Sequence, residues 1–386
     1  MRGIALIVRA GAVVCAFAFV FSLLVRGAPR PAVASTEAVQ AETGATAKAA
    51  TQKRAEQKAK AGRAAAKTPP GVVAIVATGD IVMGSTPNLP PDGGRSFFSD
   101  VQTDLAGDLV LGNLEGTLSS GGSSKCGPSS TSCFAFHTPP SYARWLRRAG
   151  FTVMNLANNH AMDYGDVGQQ DTVAAVRKAK LLTTGRPGEI AYMKARGTRI
   201  AVLGFAPYPW AQSLLDLPAA EALVRKADRW ADLVVVTMHA GAEGSDHQHV
   251  RPGNEWFLGE NRGNSVAFAH SVVRAGADLV VGSGPHVLRG MEWYRGRLIA
   301  YSLGNFVGYR TLNTSGVTGV SAILHVTLRR DGSLKTGRLD AVTIAGSGMP
   351  RPDPDGAAHG LVRTLSRDDF GKRAMHVSAT GSLDRT

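Results

Sequence analysis

Residues 72–80 read Val72-Val73-Ala74-Ile75-Val76-Ala77-Thr78-Gly79-Asp80. The run up to Thr78 is uncharged, is strand-long rather than helix-long, and is stopped by a glycine and an acid. The same figure recurs along the chain. A run at 108–111 leads into Gly112-Asn113-Leu114-Glu115-Gly116, and one at 151–156 into Ala157-Asn158-Asn159-His160. Residues 233–238 lead into His239-Ala240-Gly241, and 278–281 into Gly282-Ser283-Gly284-Pro285-His286. A further strand is expected at 199–206. Helical stretches at 139–149 (proline at its start, Gly150 at its end), 165–180, 217–230 and 264–275 fall between these runs. Strands alternating with helices define an α/β class.

Residues 287–345 change character and alternate like antiparallel strands, with turns at Arg295-Gly296 and Asp331-Gly332. After Gly346 the chain is rich in Pro, Asp and Arg and reads as a peripheral extension. The expected organisation is therefore 1–34 as a signal anchor or signal peptide, 35–70 as a linker, 71–345 as the folded domain, and 346–386 as the extension.

The chain has 386 residues, 44% of them hydrophobic and 19% charged, which excludes wholesale disorder. Its formal charge of +13 is unevenly placed: 11 of the 43 basic residues and 3 of the 30 acidic ones lie in 1–70. The remainder carries only +5 and has no basic stripe, so a nuclease or other nucleic-acid partner is not expected.

Arg2 and Arg9 precede an uncharged stretch at 10–25, and Ala32-Val33-Ala34 follows as an A-x-A cleavage pattern. A spanning helix wants about 20 residues, and counting back to Ile4 with Arg9 snorkelling supplies that length. Both an uncleaved membrane anchor and a cleaved signal stay open, and either places the body outside the membrane. The spacer at 35–70 is Ala/Lys-rich and buries no core. Cys126 and Cys133 flank a short polar loop and are expected to close as a disulfide in an oxidising compartment.

Five of the expected strands end in residues of catalytic or metal-binding type: Asp80; Asn113 with Glu115; Asn158-Asn159-His160; His239; and His286. In open α/β sheets the ligand site lies beyond the carboxyl ends of the strands, so these loops should share one rim. Mixed carboxylate, amide and imidazole donors suit a divalent transition metal, Mn, Zn or Fe, rather than calcium.

Gly79-Asp80, Asn113-Leu114-Glu115, the stretch from Ala157 to Gly165 (ANNHAMDYG), His239-Ala240-Gly241-Ala242-Glu243, Pro285-His286-Val287 and Tyr301-Ser302-Leu303-Gly304-Asn305-Phe306 together resemble the CapA family of capsule and poly-γ-glutamate biosynthesis proteins. That family is considered related to calcineurin-like metallophosphoesterases, so the resemblance implies a four-layer α/β/β/α sandwich. It also implies that Asp80, Glu115, Asn159, His239 and His286 hold one or two metal ions, with Glu115 in the place of the bridging carboxylate. His160 resembles the catalytic imidazole. Asp163 either orients that imidazole or caps a helix or turn. Asn113, Asn158, Glu243 and Asn305 are expected at the substrate, Asn305 with a turn cap as the alternative. A bridged pair of ions about 3.5–4 Å apart would polarise a phosphoryl oxygen.

The sequence departs from the phosphoesterase pattern in two places. Asp80 is followed by Ile81-Val82 where an Asp-x-His pair is expected, and the last motif keeps only His286 of two histidines. His247-Gln248-His249 could supply a replacement ligand, although it reads as an exposed loop. Two functions follow from the resemblance. One is an exported metal-dependent hydrolase or transferase. The other is a tethered accessory protein that binds an anionic cell-surface polymer, or its synthase and export subunits, through a degenerate site.

Overall fold

The computed structural model describes residues 71–385, apart from 128, 129, 131 and 132. Its first part carries β1 (Val72–Val82), β2 (Leu109–Leu114), α1 (Ala143–Ala149), β3 (Val153–Asn155), α2 (Gly165–Lys178) and β4 (Leu182–Thr184). Then come β5 (Ala191–Ala195), β6 (Thr198–Phe205), α3 (Leu217–Asp228), β7 (Leu233–His239), α4 (Ser265–Ala275), β8 (Leu279–Ser283), β9 (Met291–Tyr294) and β10 (Arg297–Ala300). The last part holds β11 (Asn305–Gly308), β12 (Val320–Arg329), β13 (Leu334–Thr343) and α5 (Ala357–Phe370).

These strands form two main sheets. One runs β13-β12-β1-β2-β3-β4, with β11 also against β1; the other runs β9-β10-β8-β7-β6-β5. The sheets lie face to face because alternate side chains divide between two environments. Val73, Ile75, Leu109 and Leu111 of the first sheet share one buried cluster with Ile200, Val202, Val235 and Val281 of the second. The intervening Val76 and Val110 pack on Leu146 of α1 and Val173 and Val176 of α2. On the far side, Leu203, Val234, Val236 and Val280 pack on Val224 of α3 and Phe268 and Val272 of α4. The layers are thus helix, sheet, sheet, helix. Strands covered on both faces carry no polar alternation, which is why they read as unbroken apolar runs.

The helix starts follow local chemistry. Asp216 caps α3 by accepting the Ala219 N–H at 3.0 Å, and Asn264 caps α4 by accepting that of Ala267 at 2.9 Å.

Three expectations need correction. Gly79-Asp80 does not end β1. The strand pairs antiparallel with β12 over Val72–Ala77, then exchanges that neighbour for a parallel pairing with β11 over Asp80–Val82. Gly79 marks the exchange: a Cβ there would lie 1.8 Å from Gly304 O, so only glycine admits the crossing chain.

The segment 287–345 is not one antiparallel meander. The β9–β10 hairpin, with positive φ at Arg295 and Gly296, edges the second sheet, where β10 runs parallel to β8. Tyr301-Ser302-Leu303-Gly304 is not strand. It carries the chain across to β11 in the first sheet, tied by Leu303 N–H to Gly282 O at 3.1 Å and Asp80 N–H to Gly304 O at 2.9 Å. The β12–β13 pair is antiparallel, as expected.

The residues after Gly346 are not peripheral. Ala358 and Val362 of α5, together with Met375, Val377 and Leu383, belong to the cluster between the sheets. A charged lead-in at 350–356 conceals a helix whose apolar residues recur at helical spacing. The expected anchor or signal and the linker lie outside the described residues. Among the described residues no helix is long and apolar enough to cross a membrane.

Candidate metal and acid–base centre

Strand register creates the site. Asn305 of β11, Asp80 of β1, Asn113 of β2, Asn155 of β3 and Thr184 of β4 are successive pairing partners, so one polar row crosses the first sheet near the carboxyl ends of β1 to β4 and at the start of β11. In the second sheet His239 ends β7 opposite Ser283 of β8. The loops after β2, β3 and β8 bring Glu115, Asn158-Asn159-His160 and His286 onto the same rim.

At its centre are Asp80, Glu115 and His239, all fully buried, each offering a ligand atom within 4.8 Å of the others. His286 completes the ring, with Nδ1 3.4 Å from Asp80 Oδ2 and Nε2 3.6 Å from Glu115 Oε1. Asn113 Nδ2 donates to Asp80 Oδ1 at 2.7 Å, and the Gly284 N–H donates to Asp80 Oδ2 at 3.1 Å. Neither oxygen of Glu115 accepts a hydrogen bond, and the buried Oδ1 of Asn159 has none either. Buried carboxylate oxygens without donors are rare in folded proteins. A divalent cation among Asp80, Glu115 and His239 would satisfy the orphaned Glu115 oxygens, so the residues present fit a metal; the donor set does not select among Mn, Zn and Fe.

The electrostatics agree. Burial pushes the Glu115 carboxyl well above its ordinary range, and the charge of Asp80 pushes it further. Burial would also raise Asp80, but the His286 hydrogen bond and charge overcome it and hold this carboxyl down at about 2. Burial holds His239 well below the usual imidazole range despite the pull of Asp80. His286 is raised instead, because the surrounding carboxylates outweigh its burial. It also sits at φ +60°, a left-handed conformation uncommon for a side-chain-bearing residue, held by a 2.8 Å bond from Nδ1 to Asn305 Oδ1.

Beside this centre stands an acid–base pair. His160 Nδ1 donates to Asp163 Oδ2 at 2.8 Å, and Asp163 is completely buried. Asp163 Oδ2 thus makes the contact expected of an orienting residue, and it also accepts the Phe136 N–H at 2.6 Å. Burial lowers the His160 pKa, and the Asp163 bond only partly opposes this.

The expected residues converge, but with divided tasks. Asn113 and Asn158, expected at the substrate, are buried and engaged inside the protein. Asn113 Oδ1 accepts from Asn155 Nδ2 at 2.8 Å and from Asn158 Nδ2 at 3.2 Å, and Asn158 Nδ2 also donates to Leu114 O at 2.9 Å. Asn305, too, is buried and orients His286 rather than facing a ligand. Glu243 remains at the rim, 3.6 Å from His286 Nε2. His249 pairs with Asp369 at 2.7 Å and supplies no replacement ligand.

Of the two departures from the phosphoesterase pattern, Val82 places a buried apolar side chain in β1 where an imidazole was expected, and nothing in the structure explains it. At Gly284, φ is +105° and a Cβ would lie 3.0 Å from the His239 ring, so a histidine has no room.

Sequence reasoning missed Arg262. This buried guanidinium donates to Glu243 Oε1 at 2.6 Å and lies 3.2 Å from His239 Nε2. It also missed Asn155, and Lys125, whose ammonium lies 2.7 Å from Asp163 Oδ1. Asn155 at the end of an apolar strand was a usable signal of the same kind as Asn113. A lysine in a polar loop, or an arginine in a short polar hairpin strand, carries none.

The sequence model of a family described as "Bacterial capsule synthesis protein PGA_cap" matches residues 74–310 of this chain. The chain belongs to that family. Over 261 residues it is 35% identical to the capsule biosynthesis protein CapA of Bacillus anthracis, covering 62% of this chain and 59% of that protein. Over 286 residues it is 32% identical to the PGA biosynthesis protein CapA of Bacillus subtilis, covering 69% and 70%. The chain thus spans less than two thirds of the length of the B. anthracis relative. Among solved structures it is similar to a 5'-nucleotidase precursor from Thermus thermophilus, at 15% identity over 78% of this chain and 59% of that one. The TM-score there is 0.41, a likeness too loose to carry an argument. Membership in the PGA_cap family bears out the CapA resemblance read from the motifs.

Proposed function

We propose that this chain is a metal-dependent hydrolase or transferase of the cell envelope, acting on a phosphoester, or on an ester or amide, of an anionic surface polymer during capsule or poly-γ-glutamate production. The observation that carries this reading is Glu115, fully buried among Asp80, His239 and His286 with both oxygens unpartnered. The apolar stretch at 10–25 and the basic spacer support export and tethering to the membrane, and the synthase and export subunits of the same polymer are the partners this placement implies.

A divalent cation held by Asp80, Glu115 and His239, with His286 and Asn159 completing its surroundings, would supply Lewis-acid polarisation of a phosphoryl or carbonyl oxygen. The protein's own groups do the rest. Asp163 fixes His160 as the Nδ1–H tautomer, leaving the lone pair at Nε2. With its pKa lowered by burial, the ring rests neutral, takes a proton from an attacking water or hydroxyl and returns it to the leaving oxygen. Arg262, buried and held on Glu243 and His239, adds a fixed positive charge behind the rim that favours an anionic group at the site.

A second reading is a non-enzymatic accessory protein that binds polymer through the same rim. It is favoured by the valine at position 82, which supplies no metal ligand, and by Gly284, whose φ of +105° and closeness to the His239 ring disfavour a second imidazole there. The test is turnover by the metal-loaded full chain of chromogenic phosphomonoesters and phosphodiesters, and of poly-γ-glutamate, beside Glu115→Gln. Turnover lost in Glu115→Gln supports the enzyme. Metal bound without turnover of any probe, together with polymer binding, would overturn it in favour of the accessory protein.

A further inference from the structure

Both flanks of the disulfide-closed loop meet at one buried carboxylate. Cys126 and Cys133 are bonded to each other. Lys125, the residue before Cys126, donates its backbone N–H to Asp163 O at 2.8 Å. Its ammonium lies 2.7 Å from Asp163 Oδ1 and donates to Asn159 O at 3.2 Å. Phe136, just beyond Cys133, donates its backbone N–H to Asp163 Oδ2 at 2.6 Å, and its ring lies 4.4 Å from the His160 ring.

A carboxylate that accepts two hydrogen bonds at one oxygen and faces a cation at the other is restrained about its own bond. Asp163 Oδ2 has two donors, His160 Nδ1 and Phe136 N, and Oδ1 faces the Lys125 charge in an ion pair. The plane of Asp163 is therefore fixed, and the plane of the imidazole with it. The Lys125 side chain is about a third exposed, so its place depends on the loop that carries it. The neighbouring disulfide limits how far that end of the loop can drift from the Phe136 end. Both cysteines are half-buried, and neither belongs to a hydrophobic cluster of the described residues.

We propose that the Cys126–Cys133 disulfide and its two flanks are a working part of the site, with Lys125 and Phe136 as positioning residues that clamp Asp163 and, through it, His160. This rests on the reading of His160 as the proton-transfer group. The clamp itself can be tested without turnover.

The test uses the full chain with ¹⁵N-labelled histidine and follows the hydrogen-bonded Nδ1–H signal of His160, assigned by its loss in His160→Gln. The signal is expected in the wild type. It should broaden away in Lys125→Met, in the Cys126→Ser/Cys133→Ser double variant and after reduction of the folded protein, and return in Lys125→Arg, while the His239 and His286 signals stay in place. Where a chromogenic ester is turned over, kcat of Lys125→Met should fall about tenfold or more with KM and metal content unchanged. A His160 signal unaltered by both reduction and Lys125→Met would overturn the clamp. If the variants fail to fold, reduction of the folded wild type decides by the same signal. An intact clamp in a protein without turnover would remove the enzymatic reading and leave this one standing.

Discussion

Asn113 faces Asp80 across neighbouring parallel strands and donates to it at 2.7 Å, while two other asparagines donate to Asn113. The amide orientation is fixed by these partners, because exchanging its oxygen and nitrogen would set donor against donor and acceptor against acceptor. Asn113 is thus the relay between the row of the first sheet and His239, whose Nδ1 lies 3.2 Å from the same amide nitrogen.

Asn113→Ala should leave several buried groups without partners at once. Each unsatisfied group costs about 1–3 kcal/mol. We expect a stability loss of about 3 kcal/mol or more in urea unfolding, together with weakened metal binding. A loss within about 0.5 kcal/mol of zero, in the range of ordinary surface substitutions, would show that the network relaxes around the gap.

Arg262 and Glu243 tie the hairpin at 255–263 to the rim through a buried ion pair. Removing one partner of a buried charge pair costs about 3–5 kcal/mol, whereas removing both leaves no stranded charge. Arg262→Met should therefore be more destabilising than Arg262→Met/Glu243→Gln, measured as a double-mutant cycle by chemical unfolding. Equal losses would mean that Arg262 acts through His239 instead.

Asp278 gives the fold a pH dependence remote from the site. Burial raises its carboxyl from 3.8 to about 6, against the opposing pull of the Val234 N–H and Arg297. Between these values the folded state keeps a proton that the unfolded state releases, so stability falls as pH rises from about 4 to 6 and stays lower above it. At about 1.4 kcal/mol per unit, the loss is of order 3 kcal/mol. Asp278→Asn should flatten that slope in urea unfolding followed across pH; an unchanged slope would assign it to other groups.

Much of this was legible in the sequence, for particular reasons. Apolar runs such as 72–78 and 233–238 are read easily because both faces of those strands are covered, and polar residues at their ends stand out against them. The four layers and the convergence of Asp80, Glu115, His160, His239 and His286 follow from that contrast and from the CapA resemblance. What escaped was set by tertiary placement. Whether an asparagine faces substrate or its own neighbours depends on register, so Asn113, Asn158 and Asn305 could not be sorted. Lys125 comes from a loop and Arg262 from a short polar hairpin, and neither sequence gives a hint of where it returns. The α5 segment was hidden by its charged approach, although Ala358 and Val362 carry a helical spacing.

The central claim is that Asp80, Glu115 and His239 hold a divalent cation. Metal content of the full chain after loading with Mn, Zn or Fe and removal of free metal, measured by mass spectrometry beside Glu115→Gln, tests it most directly. The account predicts at least one tightly held equivalent in the wild type and its loss in a folded Glu115→Gln. A wild type that retains no metal, or a Glu115→Gln that retains as much, would contradict it.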